Sequence, residues 1–453
     1  MNVRGFHIGV DDTDSPHGLC TTYLATELIR EFQDYNLIGH PRLVRLNPNI
    51  PWKTRGNGAL ALTFGKGSGR PFFTGEFEDG PVRAYPCTPV IDIDIDEILE
   101  RADAAVLRNS ARSEKRTNPA VVVALALPHE QLYWSAVREL VRPSDVLRSL
   151  LKMNRREHAT AGPTPSRSSR IVWRTHRGTR GIVGASAALS WRGKKRTYEL
   201  IAYRRRERWG TPRKVDFDSV AKMDAAFPGT FNNIDLQNKH NVIAPHSPCP
   251  VLFGIRAFEK KCLLAAARTI IAGETAGRMM LFATNQGTDD HLSSMTIRDM
   301  RPFVSPMVKG TVYSRPRTDR GGHVFFELED GTGKVDCAAY EPTKEFRAIV
   351  RSLVPGDRIV AMGGLHRRPF TLAIEKLRII GLAPIHMTEK PRCHRCGNKM
   401  KSMGRNAGYR CRRCRSKLGR ESATRMLVER SISPGQYEVP KCARRHLSMP
   451  IVR

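Results

Sequence analysis

The spacing of apolar and polar positions predicts the first elements directly. Residues 3–10 (VRGFHIGV) alternate as a strand does, and the run stops at Asp11. Over residues 20–32 (CTTYLATELIREF) apolar side chains recur at helical spacing, with Thr21 and Thr22 in the first turn. The chain therefore opens as strand, acidic turn, helix. Residues 42–64 predict strand, Pro-rich turn and strand, and residues 66–69 a glycine-rich tip. Residues 120–127 (AVVVALAL) predict a buried strand, and residues 131–151 a helix interrupted at Pro143. Composition makes residues 160–169 (TAGPTPSRSS) a linker or mobile loop. An apolar small-residue run at 181–188, a strand at 198–204 (YELIAYR) and mixed signals over 251–272 follow. Residues 1–300 thus predict an α/β or α+β body.

The pattern changes near Pro302. Five short strands are predicted over residues 307–381: VKGTVYS, HVFFELED, KVDCAAYE, RIVAMGGL and FTLAIEKLRII. One helical segment, 343–354, falls between the third and fourth, which is the order of an OB-fold barrel. Beyond residue 385 the chain reads as a small cysteine-containing module with a basic tail.

Composition narrows the class. A chain of 453 residues has room for about three or four domains. Its 75 Lys and Arg against 44 Asp and Glu give a net charge of +31, which calls for a polyanionic partner, most simply nucleic acid. An anionic membrane is the competing partner, but no basic amphipathic helix supports it. Of that surplus, 14 charges lie in residues 385–453, with 18 Lys and Arg against 4 Asp and Glu. The longest apolar run, 121–128, is too short to span a membrane, and the acidic N-terminal turn stands where a signal peptide would be apolar. Six of the ten cysteines are scattered and four form two CxxC pairs, so the chain predicts a reducing cytosol and one metal site.

Cys393, Cys396, Cys411 and Cys414 have the spacing C-x2-C-x14-C-x2-C. Four thiolates from two such turns suit a closed tetrahedral Zn2+ site, structural rather than catalytic. The acidic turn Asp11-Asp12-Thr13-Asp14-Ser15 brings hard oxygen ligands to a strand end, a pattern that suits Mg2+ and the nucleotide phosphates it carries. An Asx-turn capping the next helix is the plainer alternative. Thr21 and Thr22 follow at a helix N-terminus, which favours phosphate. Lys53, Arg55, Gly56 and Asn57 form a second polar node, open to an anion or to a simple hairpin turn; Thr179-Arg180-Gly181 is similar. The cluster Thr284-Asn285-Gln286-Gly287-Thr288-Asp289-Asp290-His291 could recognise an amine or guanidine, or be an ordinary polar loop. No Walker A, kinase glycine loop, GxSxG or HExxH sequence occurs.

In these stretches the chain resembles the archaeal 2-agmatinylcytidine synthetases. The resemblance is carried by HIGVDDTDSPHGLCTTYLATELI, by PRLVRLNPNIPWKTRGNGALAL at 41–62, and by RGIVGASAAL at 180–189. YELIAYR at 198–204, PHSPCPVLFGIR at 245–256 and TNQGTDDHL at 284–292 continue it. It implies a multidomain α+β protein: a kinase-like catalytic domain over 1–128, a ferredoxin-like region over 129–300, an OB-fold over 301–384, and a zinc ribbon with a basic C-terminal tail over 385–453. The implied activity is ATP-dependent attachment of agmatine to C2 of the wobble cytidine in the minor isoleucine tRNA with a CAU anticodon. ATP activates the C2 oxygen, agmatine displaces it, AMP and phosphate leave, and the product pairs with A. The enzyme would be cytoplasmic, with no membrane association and no obligate protein partner. The implied catalytic residues are Asp11, Asp12, Asp14 and Thr21, the last autophosphorylated, with Asp11 and Asp12 on Mg2+. Lys53, Arg55, Gly56, Asn57, Arg180 and Gly181 would hold ATP; Asn285, Gln286, Thr288, Asp289 and His246 would meet agmatine or cytidine. Two departures stand out: Ala283, where the family is basic, and PHSPCP at 245–250, where it reads PHGPDP-like. A non-catalytic nucleic-acid-binding protein would explain the charge but leave the DDTDS and CTT turns without purpose, and a ligase for another amine is a third reading.

Overall fold

The computed structural model describes residues 2–54, 56–111, 114–158 and 170–451; Arg55 and the predicted linker 160–169 lie outside the described residues. A twelve-stranded sheet forms the main body. Phe6–Asp11 lies between Gly58–Gly65 and Ala120–Ala124, antiparallel to both. Its alternation serves two cores, because neighbouring side chains in a strand point to opposite faces. Phe6, Ile8 and Val10 pack beneath helices Thr21–Glu31 and Ile95–Arg108 with Leu60, Leu62, Val121 and Val123. Gly9 faces the other way, where a Cβ would stand 2.3 Å from the Ala185 carbonyl oxygen. The small-residue run is a helix there, Gly181–Ser190, seated on the sheet by Gly9 and Gly181. Helices Gln131–Arg138 and Pro143–His158 cover it.

The sheet passes beyond residue 128 without a break. Ala120–Ala124 pairs with Ile171–Thr175, and helices expected in the second unit share a core with Val44, Ala59 and Val122 of the first. The reason is physical: the face carrying Ala59, Ala61 and Val122 needs a cover, and residues 131–158 supply it. Arg42–Arg45 closes the seam between the two halves, pairing with Gly58–Gly65 on one side and Arg278–Thr284 on the other.

Strands Ser305–Val312, Val324–Glu329, Lys334–Ala339, Arg358–Leu365 and Thr371–Gly381 form the expected barrel, with helix Phe346–Arg351 between the third and fourth. Lys334–Ala339 pairs parallel to Thr371–Gly381, the closure of an OB-fold. The ribbon hangs from a two-stranded stalk, Ile385–Glu389 against Thr424–Val428.

Residues 435–451, expected as part of a basic tail, are packed instead. Gly435–Glu438 adds a strand to Thr371–Gly381 of the barrel. The chain then returns to the main body, where Leu447 is buried in the core with Val44 and Tyr133. Burial of apolar Val439 and Leu447, together with the ion pairs of Arg444 with Glu438 and Arg445 with Glu375, holds this course. Among the described residues, no helix is long and apolar enough to cross a membrane.

Candidate active site

A cleft of about 620 Å³ opens over the seam, and the acidic turn forms one wall. Asp12 takes the left-handed conformation (φ 57°), which turns the chain sharply after the strand. Its carboxylate accepts from Arg180 Nε at 2.9 Å, and Arg180 also donates to the Arg116 carbonyl. Asp11 lies across the first turn of helix Gly181–Ser190; a Cβ on Gly184 would stand 1.8 Å from its Oδ2. Burial, then the neighbouring Asp12 charge, push the Asp11 carboxyl well above the usual carboxylate range. Burial raises Asp12 as well, opposed by Arg180. Two adjacent carboxylates under this strain favour a cation between them.

Thr21 is the first helical residue and Cys20 the N-cap, so Thr21 does not cap the helix. The Cys20 side chain makes no capping bond. Thr21 lines the cleft, buried to 6% exposure, and its hydroxyl accepts from Thr13 Oγ1 at 3.2 Å. Thr22 lines the cleft too, but its hydroxyl is engaged with Cys20 Sγ at 3.0 Å.

The same cleft carries cations. Lys53, Gly56 and Asn57 line it, with Arg45 and Arg256 behind. Asn57 is left-handed (φ 45°) and its amide ties the turn to the Asn47 carbonyl at 2.8 Å. Among the described residues Arg45 Nε has no hydrogen-bond partner, a donor left for an anion. Arg180 reaches the cleft, whereas Gly181 packs under it against the Asn118 carbonyl. His246 lines the cleft with His240, their Nε2 atoms 3.3 Å apart.

Asn285, Gln286, Thr288 and Asp289 are not among the residues that line the cleft. Their polar groups are consumed inside the protein. Asn285 bonds the Arg45 backbone at 2.7 and 2.8 Å and the Tyr133 hydroxyl at 2.9 Å. Gln286 holds Glu199 and receives Arg256 Nε at 3.1 Å. Thr288 donates to the Asn285 carbonyl at 2.7 Å, and Asp289 is bound by Lys376 at 2.6 and 2.7 Å. This loop therefore orients the cleft wall from behind.

Sequence reasoning missed Glu199, Arg45, Arg256, His240 and His446, all of which line the cleft. Two had a signal, a lone charge in an apolar strand: Glu199 in TYELIAY and Arg256 in VLFGIRA. Glu199 is 3% exposed and meets Arg256 Nε at 3.1 Å, with Gly254 leaving the space its carboxylate fills.

In the ribbon the four cysteines converge, their ligand atoms all within 4.8 Å of one another. Cys393 and Cys414 sulfurs are 3.3 Å apart, and Cys396 and Cys414 3.7 Å. A tetrahedron with Zn–S bonds of about 2.3 Å has S–S edges of about 3.8 Å, so the donor set fits zinc. The two knuckles repeat one geometry: Gly397 N and Arg415 N each bond back four residues, to Cys393 and Cys411. Both residues are left-handed, at φ 68° and 60°.

Carboxylates and cations lining one cleft, joined to an OB-fold barrel and a four-cysteine ribbon, define a multidomain enzyme that works on nucleic acid. Family models match in order: TiaS TCKD domain over 7–161, TiaS FLD domain over 179–291, OB-fold nucleic acid binding domain over 307–380, and TiaS C-terminal zinc ribbon domain over 390–432. The chain belongs to the TiaS family. It is 37% identical to the isoleucine-tRNA 2-agmatinylcytidine synthetase TiaS of Methanocaldococcus jannaschii, covering 98% of this chain and 97% of that protein. It is 38% identical to that of Methanosarcina mazei, with the same coverage. A crystal structure of TiaS in complex with its isoleucine tRNA and ATP matches with a TM-score of 0.82 at 35% identity, covering 99% of this chain and 97% of that one. A complex of TiaS with the same tRNA, AMPCPP and agmatine matches at 0.79 and 33%, with the same coverage.

Proposed function

We propose that this chain is an ATP-dependent ligase that attaches agmatine to C2 of the wobble cytidine of the minor isoleucine tRNA with a CAU anticodon. One observation carries the reading: the acidic turn, Thr21 and the cations Lys53, Arg45, Arg180 and Arg256 line a single cleft. C2 of cytosine is a poor electrophile because its oxygen leaves badly. Phosphorylating that oxygen lets it depart as phosphate when the amine nitrogen adds at C2. The stretch matched over 7–161 serves as the kinase-like part and that over 179–291 as the ferredoxin-like part of one catalytic body.

Lys53, Gly56, Asn57 and Arg180, joined by Arg45, are positioned for the phosphates of ATP; Arg55 and Gly181 complete the assignment made from sequence. Asp11, Asp12 and Asp14 offer hard oxygens that fit Mg2+, which when bound neutralises phosphate charge. Thr21 is the acceptor hydroxyl for autophosphorylation. His246, with His240, faces the side open to agmatine or cytidine. The barrel carries an aromatic strip suited to unstacked bases: Tyr340 stacks on His366 at 5.8 Å, and Arg317 sits 5.4 Å over Phe325. The cytoplasm is the proposed location.

Nucleoside analysis of the isoleucine tRNA after incubation with ATP and agmatine tests the reading. An agmatine-sized mass gain on cytidine, dependent on both, is expected; ATP turnover with unmodified tRNA overturns it.

The ribbon is read as a tRNA grip. Removing residues 385–453 would also remove the packed segment 435–451. Deleting 390–423 is cleaner, because Glu389 and Thr424 are paired neighbours in the stalk. That deletion takes out 12 Lys and Arg and one Glu. We expect tRNA affinity to fall by about 10-fold or more with a shallower salt dependence. ATP-analogue binding should stay within about 3-fold. Filter binding across a salt series checks this, and Cys393→Ser should lose zinc and reproduce the loss.

A further inference from the structure

The C-terminal segment crosses from the barrel to the cleft and touches every part it passes. Arg444 donates to Asn232 Oδ1 at 2.7 Å, and Cys442 N to Asp235 at 3.1 Å. Arg445 donates to Asn49 Oδ1 at 2.6 Å and pairs with Glu375 of the barrel at 3.3 Å. The His446 and Leu447 carbonyls accept from Gly287 N and Asp289 N, both at 2.9 Å. Asp289 in turn accepts from Met449 N at 2.8 Å and from Lys376, another barrel residue, which also donates to the Met449 carbonyl at 2.7 Å.

Between these anchors stands the His446 ring, in the cleft and against the turn that carries Lys53 and Asn57. Gly56 lies beneath it. A Cβ there would stand 3.0 Å from His446 Cδ2 and Nε2 and 2.7 Å from Arg45 Nη1. Turn, ring and guanidinium are thus packed closely enough that a side chain at position 56 would displace the ring or the guanidinium. Burial, then the charges of Arg45, Arg256 and Lys53, hold the imidazole well below its ordinary range, so it packs there uncharged among the cations.

We infer that His446 is a positioning residue for the nucleotide side of the cleft, and that the barrel sets its place through the segment that carries it. The inference rests on the reading that this wall holds ATP phosphates. It adds a dependence the acidic turn does not have: the geometry of the phosphate wall follows the docking of a tRNA-binding module. Lys376 and Glu375 are on the barrel strand Thr371–Gly381, and neither lines the cleft.

The test uses the full chain with three variants: His446→Ala removes the ring, Gly56→Ala displaces it, and Lys376→Met cuts the barrel anchor. Binding of a non-hydrolysable ATP analogue, KM and kcat for the adduct, tRNA affinity and melting are measured for each. All three should raise the analogue Kd and the KM for ATP by about 10-fold, with tRNA affinity and the KM for agmatine within about 3-fold. His446→Gln, which restores a planar polar group, should recover part of the loss. A merely structural role would lower kcat and melting together and leave both constants for ATP in place; that result overturns the inference. If His446→Ala weakens ATP but Lys376→Met does not, the link to the barrel falls. Should His446→Ala not fold, His446→Leu, which fills the space without the polar ring, takes its place with the same expected outcome; Gly56→Ala alone does not decide the role of His446, because Gly56 belongs to the phosphate turn. The parent separates this from the functional reading: no agmatine adduct in the parent refutes the proposed ligase, whereas analogue binding still decides the role of His446.

Discussion

Asp11→Asn is expected to abolish ATP consumption and adduct formation, by about 1000-fold or more, while the protein becomes more stable at neutral pH. The two effects have one cause. Asp11 sits over Gly184 beside Asp12, and burial followed by the Asp12 charge raises its carboxyl well above the usual range. The folded chain therefore binds this proton more tightly than the unfolded chain does. Stability from a raised group is fully present below the unfolded pKa and is lost as pH rises through the folded value. At neutral pH the parent carries that cost and the amide does not. The melting advantage of the variant should shrink toward pH 4 and vanish below it, where the unfolded carboxylate is protonated too. Calorimetry across pH with ATP hydrolysis at each point checks both halves. Parent-level hydrolysis in the variant would remove Asp11 from the catalytic assignment, and a lower melting point would show that the carboxylate serves the fold. Mg2+ with ATP should stabilise the parent and not the variant.

Thr21→Val is expected to leave the fold intact and stop adduct formation, a loss of about 100-fold or more. Sequence alone leaves open whether this threonine caps its helix, and asparagine would then be the informative substitution. The structure makes Cys20 the N-cap, so valine at 21 removes a hydroxyl without uncapping anything. What valine costs in stability is the bond with Thr13, about 1 kcal/mol. Serine should keep activity within about 10-fold, because it retains a hydroxyl at the same atom. Phosphopeptide mapping of parent and variant, beside nucleoside analysis, checks the role. Full activity in the valine variant would assign the chemistry elsewhere. Thr22 is the control for position: it is also in the cleft, but its hydroxyl is already engaged by Cys20.

The parts legible in the sequence are those whose partners are close along the chain. The ribbon's four cysteines fall within 22 residues, and a CxxC turn sets its own geometry, so ligand set and metal follow from spacing. Strand, acidic turn and helix over residues 6–31 are local as well, and the five barrel strands announce themselves by period and turn residues. Periodicity tells which face of an element is buried but not what covers it. Only the tertiary structure decided that Arg45, Glu199 and Arg256 meet across more than 200 residues, since that depends on which strands are neighbours in the sheet. Composition left Asn285, Gln286 and Asp289 open between a ligand-binding cluster and an ordinary polar loop; only the register of Arg278–Thr284 beside Arg42–Arg45 shows that they bond the protein's own backbone and charges. The same holds for residues 435–451: their charges suggested a tail, but burial of Val439 and Leu447 outweighs a solvated course, and that folds His446 into the cleft.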